Sequence, residues 1–201
     1  VAPRPDAAER KPPPNVVVAS APIAPSGLAA SGAQTVQTAD PQAQLRATHR
    51  VEAAAALLGT PGMADSAFVA HVLRAAGQHL EVDRALPYPQ ALHDKLAATG
   101  IRANPAQPGD LVFFRDTADL NGNGKPDDGV TLVGVVERIE RSRAVFIAQR
   151  AGKVRRMAVD PSRPEVVRDE RDEVVNTRLV RWPGSPQPLT TGQCLVGYWR
   201  P

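Results

Sequence analysis

The stretch from Gln107 to Glu137, QPGDLVFFRDTADLNGNGKPDDGVTLVGVVE, constrains this chain more than any other. Pro108-Gly109-Asp110 has the composition of a turn, and Leu111 to Phe114 is an unbroken apolar run that predicts a buried strand. Thr131 to Val136 is a second such run, β-branched and interrupted only by Gly134. The segment between them is rich in Asn, Asp and Gly and too hydrophilic for a core. Two buried strands joined by an ornamented polar loop predict the centre of a sheet.

The elements around this centre follow from periodicity. Gln42 to Leu58 reads as a helix, with Leu45, His49, Ala53, Ala56 and Leu57 near helical spacing and Gly59-Thr60-Pro61-Gly62 as its stop. Asp65 to Ala76 reads as a second, with Phe68, Val69, Val72, Leu73 and Ala76 on one apolar face and Asp65 or Ser66 as its cap. Pro87-Tyr88-Pro89 reads as a turn and Ala91 to Thr99 as a short helix. Further strands are expected at Ala144 to Ile147, Val154 to Val159, Val174 to Trp182 and Cys194 to Trp199. Helices first and strands after predict an α+β layout, and 201 residues suffice for one domain with a core.

Residues 1–44 are expected to be a Pro/Ala-rich extended tail or linker, with the domain at 45–201. Pro12, Pro13, Pro14, Pro22, Pro25 and Pro41 punctuate Ala, Ser, Val and Gln, and the first aromatic of the chain is Phe68. Such a segment buries too little surface to offset its ordering entropy. It is either a spacer or a strap lying on a partner, with Val16-Val17-Val18 as an added strand.

Charge and cysteine content exclude more than they assign. The formal net charge of +3 permits an acidic partner, such as an anionic wall polymer or membrane surface, without requiring one. Between Arg138 and Arg168 nine basic residues face three acidic ones; outward-pointing strand arginines account for this, and a polyanion-binding face is the alternative. Nucleic acid is not an expected partner. A single cysteine, Cys194, excludes an internal disulfide and a multi-Cys zinc site, and inside an apolar run it reads as a small buried residue. No apolar run approaches the ~18 residues of a membrane span. Val1-Ala2-Pro3-Arg4 lacks the charged-then-apolar order of a secretion leader, so no leader is expected within this sequence, and one removed earlier is compatible with it.

The polar loop carries one chemical signal. Asp119, Asn121, Asn123 and Asp127 place side-chain oxygens at positions 1, 3, 5 and 9, Gly124 stands at position 6, and Lys125 offers its backbone carbonyl. This matches the start of an EF-hand-type calcium loop. Position 12 is Val130 rather than Glu, so the bidentate ligand is missing, although Asp128 is close. A polar Asx-rich turn joining two strands is the other reading.

Taken together, "AAAALLGTPG" (53–62), "SAFVAHVLRAAG" (66–77), "PGDLVFF" (108–114), "LVGVVE" (132–137) and "VFIAQ" (145–149) stand in an order and spacing that resembles the NlpC/P60 and CHAP domains. These are papain-like cell-wall peptidases and amidases. The resemblance covers roughly residues 45–182 and implies helices packed on an antiparallel sheet. In that family a Cys at a helix start is the nucleophile, a His on the facing strand its base, and a polar residue on the next strand orients the His. Members read like D-C-S-G-F-V, H-V-G and F-I-H at those places.

Carried over by residue, the resemblance puts Asp65 where the Cys belongs, Leu132 where the His belongs, and Ala148, beside Gln149, where the orienting residue belongs. Leu132 cannot take a proton, and a carboxylate cannot replace a thiolate in acyl transfer. Ser66 is the fallback nucleophile, but His71 lies about 240° round the same helix, and His49, His79 and His93 lie on or between helices. The resemblance therefore implies a catalytically degenerate module of the cell envelope, secreted, periplasmic or at the cell surface. Its expected role is binding or assembly, with a peptidoglycan peptide or an envelope protein as partner. An active peptidoglycan hydrolase with a relocated nucleophile and a calcium-stabilised structural subunit of a surface assembly are the alternatives.

Overall fold

The computed structural model describes residues 40–63 and 67–201. The tail strap at Val16 to Val18 lies outside the described residues, as do the Asp65 and Ser66 positions. The elements run α1 (Pro41–Ala56), α2 (Ala67–Ala75), α3 (Tyr88–Thr99), β1 (Ile101–Arg102), β2 (Leu111–Arg115), β3 (Val130–Glu140), β4 (Arg143–Arg150), β5 (Lys153–Val159), α4 (Thr191–Cys194) and β6 (Leu195–Arg200). The six strands form one antiparallel sheet in the order β1-β6-β2-β3-β4-β5. The α+β class is thus as expected.

β2 is central, and its unbroken apolar run has a structural reason: both faces are covered. Leu111 and Phe113 join a cluster with Phe68, Val69, Val72 and Leu73 of α2 and Leu92 and Leu96 of α3. Val112 and Phe114 join a second cluster with Leu132, Phe146, Ala148, Met157 and Cys194, in which Phe114 stacks on Phe146 at 4.9 Å between centroids. Side chains alternate across a strand, so a strand buried on both faces reads as continuous hydrophobicity.

The Pro108-Gly109-Asp110 turn locks the sheet to α1. Gly109 has φ +87° and packs so closely on the helix that a Cβ there would lie 2.7 Å from Ala47. Arg50, buried in α1, donates from Nε to the Gly109 carbonyl at 2.7 Å and from Nη1 to Gln78. Burial depresses the Arg50 pKa to about 10, opposed by Asp110.

Several expectations need correction. α1 starts at Pro41, capped by the Asp40 side chain on Gln42 N at 3.0 Å, so residues 41–44 belong to the helix and not to the tail. Tyr88 and Pro89 open α3 instead of forming a turn, since prolines at a helix start forfeit only N–H groups that have no intrahelical partner. Val174 to Trp182 is not a strand. Its backbone groups are divided among three partners (Val175 N to Val167 O, Thr177 N to Ala158 O, Leu179 N to Leu189 O), so no continuous ladder forms. Cys194 ends the one-turn α4, closed by a Thr190/Gln193 capping box, and β6 begins one residue later. β1 was not foreseen; two residues carry no readable period.

Candidate functional site

A cleft of about 670 Å³ opens where α2, the segment before α3 and the start of β3 meet. Phe68 and Val69 come from α2, Leu132 and Val133 from β3, and Gln149 and Arg150 from the end of β4. One lip is the 82–89 segment and the other is the start of the polar loop at Thr117 to Leu120. Leu86 and Leu120, on opposite lips, are 42% and 55% exposed. Size and mixed lining fall within the range of small-ligand sites.

The polar loop is held in place at its neck. Thr117 N donates to Thr131 Oγ1 at 2.7 Å, the two hydroxyls lie 2.9 Å apart, and Asp116 N donates to Gly129 O at 2.8 Å. From α3, Gln90 Oε1 accepts from Val130 N at 2.7 Å, while its Nε2 donates to Asp94 at 2.7 Å. Gly129, at φ +71°, leaves room for that amide, since a Cβ would meet Gln90 Oε1 at 2.7 Å. The neck thereby fixes where Ala118 and Leu120 stand at the cleft mouth.

Leu132 and Ala148 both pack into the second cluster, Leu132 with 7% of its surface accessible and Ala148 with none. Ala148 pairs with Gly134, two residues on from Leu132, so the two side chains share a sheet face. Neither can carry a proton. No His or Cys lines the cleft among the described residues. His93 packs edge-on against Phe113 and Trp199 and contacts Asp94 Oδ1 at 3.1 Å; His49, His71 and His79 are exposed. Cys194 is buried in the second cluster, and that burial, with Asp116, pushes its thiol up to about 11.

Charge in the cleft comes from Asp83, Arg84 and Arg150. Burial lowers the Arg150 pKa, and neighbouring Arg155 adds to this, but a guanidinium so displaced remains charged at neutral pH. Gln149 donates from Nε2 to the Met63 carbonyl, while its Oε1 is buried without a partner. Burial also raises the Tyr88 phenol, which stays neutral. The sequence reading named Gln149 only as a neighbour of Ala148 and missed Arg84, Leu86, Leu120 and Arg150 as cleft residues. Exposed leucines at two loop tips were the available signal.

In the loop, Asp119 accepts from Gly122 N at 2.7 Å and Gly124 N at 2.9 Å. Asn121 and Asn123 both turn their amides on Asp127, at 3.0 to 3.1 Å. These bonds hold the Asp127 carboxyl below the usual carboxylate range, Asn123 contributing most. Both amides are fixed in this orientation, because Asn121 Oδ1 accepts from Asn123 N at 2.9 Å and Asn123 Oδ1 from Lys125 N at 2.7 Å. Asp128 Oδ1 accepts from Asn121 N at 3.1 Å, and its Oδ2 is buried without a partner. Val130 is buried at the start of β3 and supplies nothing. Among the described residues no group of three or more His, Cys, Asp or Glu could hold a metal, so any site here depends on amide and carbonyl oxygens. That donor set fits a hard cation held weakly.

Comparison with family models, with curated proteins and with solved structures finds no match for this chain.

Proposed function

We propose that the chain is a non-catalytic binding module on a papain-like scaffold of the NlpC/P60–CHAP type, working in the cell envelope. Helices leading into an antiparallel sheet centred on PGDLVFF support the scaffold assignment. The observation that carries the binding role is the cleft: Leu132, at the position the resemblance gives to the base His, lines it beside Val133 and Gln149. Apolar lips at Leu86 and Leu120 and the cationic Arg84 and Arg150 suit a peptide with small apolar side chains and a free carboxylate, such as a peptidoglycan stem peptide. The chain would be secreted, periplasmic or on the cell surface, and among the described residues no helix is long and apolar enough to cross a membrane.

Isothermal titration of the full chain with a soluble stem peptide tests this. Saturable binding, weakened about tenfold in Leu86→Glu or Leu120→Glu, is the expected result. Binding unchanged in both variants, or no binding, would refute the cleft as the site.

The unpartnered Asp128 Oδ2 beside a loop rich in side-chain oxygens favours a second element, a weak structural calcium ion. Asp119, Asn121, Asn123, Asp127 and the Lys125 carbonyl would hold it. Bound there, the ion would supply charge neutralisation, while the chain's own residues at the neck set the lip carrying Leu120.

A further inference from the structure

On the far side of the sheet from β1, strand β5 is the last in the order, and its outer edge is covered at two points. At one end Gly59 N donates to Val154 O at 2.9 Å and Val154 N to Thr60 O at 3.3 Å. At the other, Thr177 N donates to Ala158 O and Ala158 N to Thr177 Oγ1, both at 3.0 Å. Backbone groups of an antiparallel strand alternate between its two neighbours. Val154 and Ala158 face outward, so Arg156, midway between them, does too, and its N–H and C=O stand in a gap between the covers.

A groove of about 830 Å³ lies at this gap. Arg155 and Met157 line it, and so do Arg156 and Ala158, so it takes side chains from both faces of β5 and straddles the strand's edge. Six arginines border it: Arg138, Arg143, Arg155, Arg156, Arg168 and Arg178. Glu137 binds Arg138 and Arg156, Glu140 binds Arg138 and Arg143, Glu173 lies 3.2 Å from Arg143, and Asp172 lies 3.4 Å from Arg168. Arg155 and Arg178, both exposed, have no carboxylate within ion-pair distance among the described residues. Val145, Met157 and Val174 add apolar surface between the guanidiniums.

We propose that this groove docks an extended acidic segment of a partner protein, which pairs its backbone with Arg156 and sets carboxylates on Arg155 and Arg178. An open N–H beside an open C=O is matched by another polypeptide backbone, which both accepts and donates; a phosphate polymer offers no donor for the carbonyl. The four-residue spacing between the covers corresponds to about 13 Å of strand, room for a short segment. Side chains of that segment on one parity meet Arg155 with Met157 beneath it, and those on the other meet Arg156 with Ala158 and Val145, so a carboxylate and a small apolar residue are accommodated on alternate positions. This site is separate from the cleft of the proposed function and does not depend on it.

The test uses the full chain and a fluorescein-labelled peptide of alternating Glu and Val, followed by anisotropy. Binding that weakens about tenfold or more in R155A/R178A is expected, the scale of one lost charge-assisted hydrogen bond. Two peptides N-methylated on alternate residues probe the backbone pairing on the unaltered protein. One parity should lose binding and the other keep it. Equal binding by both methylated peptides, tighter binding of an oligonucleotide of equal charge, or no binding of the Glu-Val peptide would each overturn the proposal.

Discussion

Arg200, in the last strand, sets Nε 2.9 Å and Nη2 3.1 Å from the two carboxylate oxygens of Asp110, which is 90 residues earlier in the chain. The Asp110 side chain is 2% exposed and also accepts from Gln107 N at 2.7 Å. This bidentate pair ties the turn before β2 to β6 and raises the Arg200 pKa, the hydrogen bond to Asp110 contributing most. Arg200→Ala strands a buried carboxylate and should cost about 3 kcal/mol or more. Asp110→Ala/Arg200→Ala should cost less than the sum of its single changes. Urea unfolding of the four proteins reads both.

Cys194 should be inert in the folded chain. With its thiol pushed up to about 11 by burial, about one molecule in a thousand is ionised near pH 8. Thiol-exchange reagents are expected to find no reactive group in native protein and one per chain in denaturant. Rapid native labelling would place Cys194 at the surface.

Acid should act partly through Asp160. Its side chain is fully buried, which alone would raise its pKa, but Ser162, Arg163 and Ser142 all donate to it, and the balance holds it below its ordinary 3.8. A depressed carboxylate contributes stability that is fully present above the unfolded value and is lost as pH falls through the lower, folded one. The stability gap between wild type and Asp160→Asn should therefore narrow as pH is taken from about 6 to about 3. A constant gap across that range would contradict the assignment.

Millimolar calcium should raise the melting temperature by a few degrees, reversibly with EDTA, through binding to the native state alone. Asp119→Ala and Asp127→Ala should each abolish the rise while leaving the unliganded melting temperature little changed, since both side chains are on an exposed loop. A rise that survives both changes would locate any calcium elsewhere.

The parts of the fold legible in the sequence are those whose partners are implied by local pattern. Leu111 to Phe114 could be read as a buried strand because burial on both faces leaves no polar residue to break the run. The apolar face of α2 was readable because Phe68, Val69, Val72 and Leu73 recur at helical spacing. Arg50 and Arg200 were not, because a basic residue in a helix or strand reads as solvent-facing, and only contacts 59 and 90 residues away show that each holds the Pro108-Gly109-Asp110 turn. Val174 to Trp182 has a strand's composition, but composition does not show that its hydrogen bonds go to three separate segments. In the cleft, Leu132 was reached by alignment alone. Leu86 and Leu120 become lips only once β3 and α3 bring their two loops together.

The proposal for the cleft is binding without cutting. Its most direct test is mass spectrometry of the supernatant after purified sacculi are incubated with the full chain, with and without calcium. The account predicts no soluble muropeptides above the buffer control in either condition. Release that disappears in Ser66→Ala or Cys194→Ala would contradict it, and would identify the nucleophile of a working hydrolase.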